Sequence, residues 1–465
     1  MPPVSTNTLA FKLGIILILI GMAWIPTMVV LVLTTDRANR ANEAAREIAS
    51  MWGQSQLING PIITIPLSVV SIENGKQVAH EERLYLLPET LAYDVDMNTE
   101  KRSRGIFDAA VYTATVHATG TVHLSSLNSV QSSGTILWNK ARLSVGIPDT
   151  RGVAASTTLM WNGAVIPFEP GVAGPDIGQT GISAPIALNP AKDDYTFSFD
   201  TSLRGSQRFD IAPVGKTTEV TMRANWASPS FTGSFLPDNR EVSDSGFTAT
   251  WSVSSFGRAT PQAWMGAGQP AAALYSPPVT VLGGSEAGSF SGEVPVLAPS
   301  TMAAAFGVDL MQTVDLYTEV NRAVKYSILF IGLTFLAFFM FEVLSGLRIH
   351  PIHYLLVGLA IALFYLLLLS LAETIGFLSA YLISTIATTG LIASYSASVL
   401  KARGRASVIA GLLLALFAYL YILLQLEELS LLFGSIMLFA SLSTVMYLTR
   451  AIDWYSFSGP RNPKV

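Results

Sequence analysis

The sequence predicts an α+β membrane protein: six transmembrane helices, one N-terminal and five C-terminal, carrying a large β-rich domain with room for two stacked β units. Three observations predict it. Uncharged apolar runs of about 20 residues, enough to cross a bilayer core at 1.5 Å rise per residue, stand near both ends of the chain. The region between them alternates apolar with polar residues and is broken by Gly and Pro roughly every ten residues, the spacing of a sandwich or barrel. Charge is scarce, 13% of residues against about 25% in typical soluble domains, and it gathers in that middle region.

The run Arg348 to Glu373, RIHPIHYLLVGLAIALFYLLLLSLAE, is the clearest span. Four more cover Tyr326 to Leu347, Ile375 to Leu400, Ala406 to Leu426 and Leu429 to Leu448, each with a charged residue at or just beyond an end. The first span follows Lys12 and extends from Leu13 to Leu33. It is longer than a signal-peptide core and ends in Thr34-Thr35-Asp36 without a small-residue cleavage site, so it reads as an uncleaved helix. Pro26 inside it is expected to free a carbonyl and kink it. The implied division is a tail at 1–10, a helix at 11–34, a β-rich domain at 36–322, a five-helix block at 323–450 and a tail at 451–465.

From Asp36 to Trp52 the chain is rich in Ala, Glu and Arg, and Asp36 stands four residues before Arg40, a helical neighbour. This predicts an amphipathic helix, most simply a solvated stalk. Asn74-Gly75 and Asn162-Gly163 each sit between β-prone runs, where a type I′ hairpin needs positive φ. VYTATVHATGTVHL, YTFSFDTSLRGSQRFDI and TTEVTMRANW alternate like strands, and the first two resemble matching parts of a duplicated unit. A sub-boundary is expected at the Gly/Pro-rich stretch near 170–182, and loops from Ser255 to Gly292. DLYTEVNRAVKYSILF is expected to return to the membrane as one helix.

Orientation follows from basic residues near the short connections. A cytoplasmic amino terminus puts Arg348, Lys401, Arg403, Arg405, Arg450, Arg461 and Lys464 on the inner side, while Glu373-Thr374 and Glu427-Glu428 carry no basic residue. Both termini are then cytoplasmic and the β-rich domain is periplasmic. Arg37, Arg40, Arg46, Arg322 and Lys325 lie on the other side, but they flank a domain longer than the loops this rule counts.

Chemistry is sparse. With no cysteine there is no disulfide framework, thiolate nucleophile or Cys-based metal site, and a net charge of -4 gives no support to nucleic-acid binding. Phosphate-loop, HExxH, GxSxG, EF-hand and GxGxxG patterns are absent. His117 and His123 share a strand face but stand roughly 20 Å apart at 3.3 Å per residue, too far for one metal. No cofactor or metal is expected. Glu342 is the informative membrane carboxylate, because charge within a span is costly. It lies near its helix end, and pairing with Arg348 or His350 is the simpler reading. His350 and His353, at a helix start, read as solvated or headgroup-facing rather than ligating. Trp454-Tyr455 fits an interfacial anchor.

GPIITIP near Gly60, LPE at Leu87, RSRGIFDAAVYTA from Arg102, DTRGV at Asp149, PSFTGSFLPDNREVSDSGFTATW from Pro229, YTEVNRAVKYSILFIGLTFLAFFMFE, the Arg348 span and the terminal AIDWYS together resemble the CreD family, also called cell envelope integrity proteins. The likeness runs from about residue 11 to 457. It implies a multi-pass bacterial inner-membrane protein tied to the CreB/CreC two-component system and to envelope stress, colicin tolerance and the β-lactam response. It implies no catalytic residue. The expected function is therefore non-enzymatic envelope maintenance, with the lipid bilayer, periplasmic envelope components or other membrane proteins as partners. A transporter or lipid-handling protein using Glu342, His350 and His353 is the alternative. If a periplasmic surface acts, Phe231, Phe235 and Leu236 beside Asp238, Arg240 and Glu241 are the candidate binding loop; the simpler expectation packs the aromatics into the core, with Arg240 at an edge.

Overall fold

The computed structural model describes residues 9–73, 76–131, 134–154, 157–174, 177, 180–258, 260–266, 304–310, 316–345, 349–400, 403–426 and 429–450. The chain forms a helical unit, Met1–Asn42 with Val314–Val465, and a β unit, Glu43–Thr313.

α1 (Leu9–Trp52) runs without a break through Pro26, so the expected stalk is the continuation of the first span. Within the helical unit it buries Ile16, Leu19, Ala23, Thr27, Val30 and Thr34, a stripe recurring every three or four residues. The Asp36–Arg40 pair forms as expected, at 3.1 Å. Among the described residues six further helices follow: α2 (Leu316–Lys325), α3 (Ser327–Ser345), α4 (Pro351–Ile375), α5 (Phe377–Leu400), α6 (Arg403–Gln425) and α7 (Ser430–Thr449).

The single helix expected over DLYTEVNRAVKYSILF is two, bent by 42° at Tyr326. The physical reason lies in the two halves. α2 is amphipathic, burying Tyr317, Val320, Ala323 and Val324 while carrying Glu319, Arg322 and Lys325, whereas α3 is apolar. At the junction the Ser327 hydroxyl donates to Thr27 Oγ1 at 3.0 Å, pinning the start of α3 on α1. Among the described residues, five helices are long and apolar enough to span a membrane alone, and the bent α2–α3 pair brings the number to six.

Among the described residues the β unit holds two sheets. The ten-stranded sheet runs Ser230–Gly233, Phe306–Asp309, Arg208–Ile211, Gln56–Glu73, Arg142–Gly146, Gly181–Pro185 and Glu169–Pro170, with Lys76–Leu86, Ala263–Met265 and Thr135–Ile136 branching from it. The eight-stranded sheet runs Asn239–Ser243, Gly246–Ser254, Thr217–Ala224, Thr90–Arg104, Phe107–His123, Asp194–Ser206, Thr158–Trp161 and Ala164–Pro167. One core joins them: Ile63, Tyr85 and Phe209 from the first pack in the same cluster as Tyr93, Val116 and Phe199 from the second. Alternating burial along Thr90–Arg104 shows why period-two patterning settles which face is inside.

Both sheets take strands from either side of residues 170–182, so the expected sub-boundary does not separate two β units. The supposed duplicated segments are antiparallel neighbours, paired from Asp194↔His123 to Ser206↔Val111. The Asn162-Gly163 hairpin forms as expected, with φ of 48° and 85°. At the other hairpin, pairing reaches Glu73↔Lys76, and Asn74-Gly75 lies outside the described residues. Within the expected loop passage, Ala263–Met265 is a strand paired with Lys76–Leu86, while 267–303 falls outside the description.

Candidate functional site

Glu342 on α3 is the buried carboxylate of the helical unit. Of the two partners expected for it, His350 is engaged elsewhere and Arg348 lies outside the described residues. Oε1 accepts from the Lys12 ammonium of α1 and from the Ile349 backbone N–H at 3.1 Å, and Oε2 accepts from the Tyr354 hydroxyl of α4 at 3.0 Å. A charge-assisted bond between chain segments so far apart ties α1, α3 and α4 together. His350 caps α4, its Nδ1 accepting from the Ile352 N–H at 3.3 Å. His353 turns instead to α5, with Nδ1 2.6 Å from the Tyr395 hydroxyl. Glu342, His350 and His353 thus occupy three separate local networks. Trp454 and Tyr455 are also outside the description.

A second ionic group sits on Glu373, which accepts from Tyr317 at 3.2 Å and stands 3.8 Å from Arg37. Glu342 and Glu373 therefore each fasten α1 to the later helices, some 25 residues apart along α1, or about 37 Å of helix rise.

In the β unit the candidate loop resolves into core and edge. Phe231 packs edge-on against Phe247 and Trp251, and Phe235 against Phe306. Arg240 stands on the exposed edge strand, 5.9 Å from the Phe231 ring. Asp238 accepts from the Ser252 N–H at 2.7 Å, leaving Leu236 as the exposed apolar residue of the group. The aromatics serve packing.

Sequence reasoning missed the end of α1. Two guanidinium groups approach the Trp52 ring, Arg102 at 4.2 Å and Arg204 at 4.8 Å, and its indole donates to the Tyr112 carbonyl at 3.2 Å. Arg104 pairs with Glu47, and Ala45 and Ile48 pack on Ala109 and Val111. Asp149 completes this collar. Its carboxylate accepts from the Gln54 N–H at 3.1 Å and from Arg151 Nε and Nη2 at 2.9 and 2.7 Å, while Arg151 Nη1 reaches the Ser50 carbonyl at 2.9 Å. The Arg151 guanidinium is the main reason the Asp149 carboxyl is held down to about 2. The signal was present: RSRGIFDAAVYTA and DTRGV are the stretches that meet here.

His117 and His123 do face one side, each against a cross-strand aspartate: Asp200 at 2.6 Å and Asp194 at 2.7 Å. They do not converge on each other. His123 with Asp193 and Asp194 has ligand atoms within 4.8 Å, close enough to hold a cation. Asp193 is already engaged by the Ser125 N–H and hydroxyl at 2.5 and 3.0 Å, so the group is also complete as an ion-paired surface cluster. On the eight-stranded sheet a shallow groove of about 430 Å³ is lined by Thr90, Thr119, Thr121, Thr196 and Thr217 beside Glu219. Leu91, Ala92 and Phe197 line it as well, so the groove offers apolar contact beside its hydroxyls and one carboxylate.

Residues 8–455 match the family model described as Inner membrane protein CreD. Inner membrane protein CreD of Escherichia coli (strain K12) is 31% identical over 444 residues, covering 94% of this chain and 92% of that protein. Among solved structures, an M1 zinc metallopeptidase from Deinococcus radiodurans overlaps 36% of this chain and 40% of its own at 11% identity, with a TM-score of 0.16. A mutant M1 zinc metallopeptidase from the same organism, bound to a Tyr-Ser-Ala substrate, gives 0.17 at 10% identity over 36% and 39%. Overlaps that poor carry no argument. The family match, by contrast, runs from the start of α1 past the end of α7, and the chain belongs to the CreD family of inner membrane proteins.

Proposed function

We propose that this chain maintains the bacterial envelope without catalysis, binding envelope components or partner proteins through its β unit, within the stress response of the CreB/CreC system. The observation that supports this reading most is where the structure is spent. Residues 43–313 build two sheets on one core, whose outer faces present an open threonine groove, an exposed edge strand and Leu236. Such surfaces suit adhesion to extended partners more than enclosure of a small substrate. The family's inner-membrane setting and the basic residues Arg403, Arg405 and Arg450 at helix ends favour cytoplasmic termini and a periplasmic β unit. A transporter or lipid-handling role through Glu342 is weakened because both its oxygens already hold helices together.

The test uses the full chain in cells, with a photo-crosslinking residue at Thr119 in the groove or at Leu236. Discrete adducts with envelope proteins or glycan are expected, and a reporter inserted after residue 150 is expected to be active in the periplasm. Clean chains at both positions in cells whose phenotype the variants restore, or a cytosolic reporter signal, would rule the proposal out.

A further inference from the structure

α5 carries its polarity on the inside. Leu378, Leu382, Ile383, Ile386 and Leu391 are about half exposed or more, while Tyr381, Ser384, Thr385, Thr388, Thr389 and Ser396 are buried. The buried set recurs every three, four or seven residues, so it forms one helical face. In a bilayer the surroundings are apolar, and hydroxyl groups turn inward to find partners.

Among the described residues most of these hydroxyls find none. Ser384 Oγ, Thr385 Oγ1, Thr389 Oγ1 and Ser396 Oγ lack a hydrogen-bond partner, and so does the hydroxyl of Tyr365, fully buried on α4. Tyr365 lies within electrostatic range of Tyr381, whose hydroxyl donates to the Phe417 carbonyl of α6 at 2.6 Å. Each unpaired buried hydroxyl forfeits its hydration with no bond in return. At one end of the row stands a titratable group, since Tyr395, next to Ser396, shares its 2.6 Å hydrogen bond with His353. From Ser396 to Tyr381 the helix rises about 22 Å, most of a hydrocarbon core of about 30 Å.

We propose that the inward face of α5, against α4 and α6, is a hydrated track leading from the His353–Tyr395 pair into the bilayer core, with water bound to its hydroxyls. Water fits because no side chain in the row is charged and a water molecule both donates to and accepts from a hydroxyl. The dry alternative is that the Ser and Thr side chains rotate to bond carbonyls of their own helix.

The chain has no cysteine, so a cysteine placed at Ser384, Thr389 or Ser396 is its sole thiol. Methanethiosulfonates react with thiolates, which form in water and not in lipid. With full-length protein in native membranes and 2-aminoethyl methanethiosulfonate, S396C, T389C and S384C are expected to react at least ~10-fold faster than L382C and I386C on the outer face. Rates equal to those outer controls, with every thiol titrating after denaturation, would overturn the proposal. Thermal unfolding of each cysteine variant guards against misfolding: reaction rates are compared only among variants that melt like the parent chain, and a T389V chain that melts higher than the parent would show a dry, unpaired hydroxyl and sink the proposal.

Discussion

Among the described residues Glu342 receives three donors on two oxygens, and two of them come from chain segments that its own sequence neighbourhood does not contain. Removing one member of a fully buried ion pair leaves the other uncompensated at a cost of about 3–5 kcal/mol, and Lys12, about a third exposed beside the buried Glu342, brings this pair below that figure, whereas removing both is nearly neutral. Lys12→Met is therefore expected to lower the unfolding midpoint of the detergent-solubilised protein sharply, and the K12M/E342Q double variant to recover most of it. Equal losses in both would show that the pair is not coupled. The carboxylate was legible in the sequence because charge stands out in an apolar run; Lys12, 330 positions away, was not. Asp149 makes the matching point outside the membrane. Its folded pKa is depressed, so its contribution is present above its unfolded value of 3.8 and is lost as pH falls toward about 2. Asp149→Asn is expected to cost about 1–2 kcal/mol at neutral pH, with the difference from the parent chain closing below pH 3 in thermal melts of the β unit. A gap undiminished between pH 5 and pH 2 would assign the loss to shape rather than charge.

At the scale of elements, α4 meets α1 through a glycine. A Cβ at Gly358 would come within 2.6 Å of the Ala23 Cβ and 2.9 Å of the Phe335 ring. Helix propensity favours alanine by about 1 kcal/mol, while overpacking costs about 1–3 kcal/mol, so the sign reports the contact. Gly358→Ala is expected to destabilise and Gly411→Ala, whose Cβ meets nothing within 4 Å, to be neutral or stabilising. A stabilised G358A in the same melting assay would contradict the close approach. The existence of α1 and α4 to α7 was readable because apolar length and breakers are local properties. The break between α2 and α3 was not, although α2 is amphipathic and α3 apolar, and the partner Ser327 meets there, Thr27, lies 300 positions away. Nor was the character of α5. A search for charged residues passes over a hydroxyl stripe, although SxxxTTxxxxxxS spacing from Ser384 to Ser396 would have revealed it to a search for neutral polar periodicity.

In the whole molecule, local and period-based features were fixed by the order of residues alone: apolar spans at both ends, a strand-rich middle, the Asn162-Gly163 hairpin and membership of a membrane family. These depend on neighbours a few positions apart, which any reader of the chain can compare. Tertiary structure decided what lies across long separations. It interleaved strands from both halves of the middle region into two sheets on one core, sent Phe231 and Phe235 inward, and closed Trp52 and Asp149 around the end of α1. It also chose Lys12 for Glu342 and turned the hydroxyls of α5 away from lipid. Pairings of this kind depend on which surfaces packing brings together, and residue types do not carry that address.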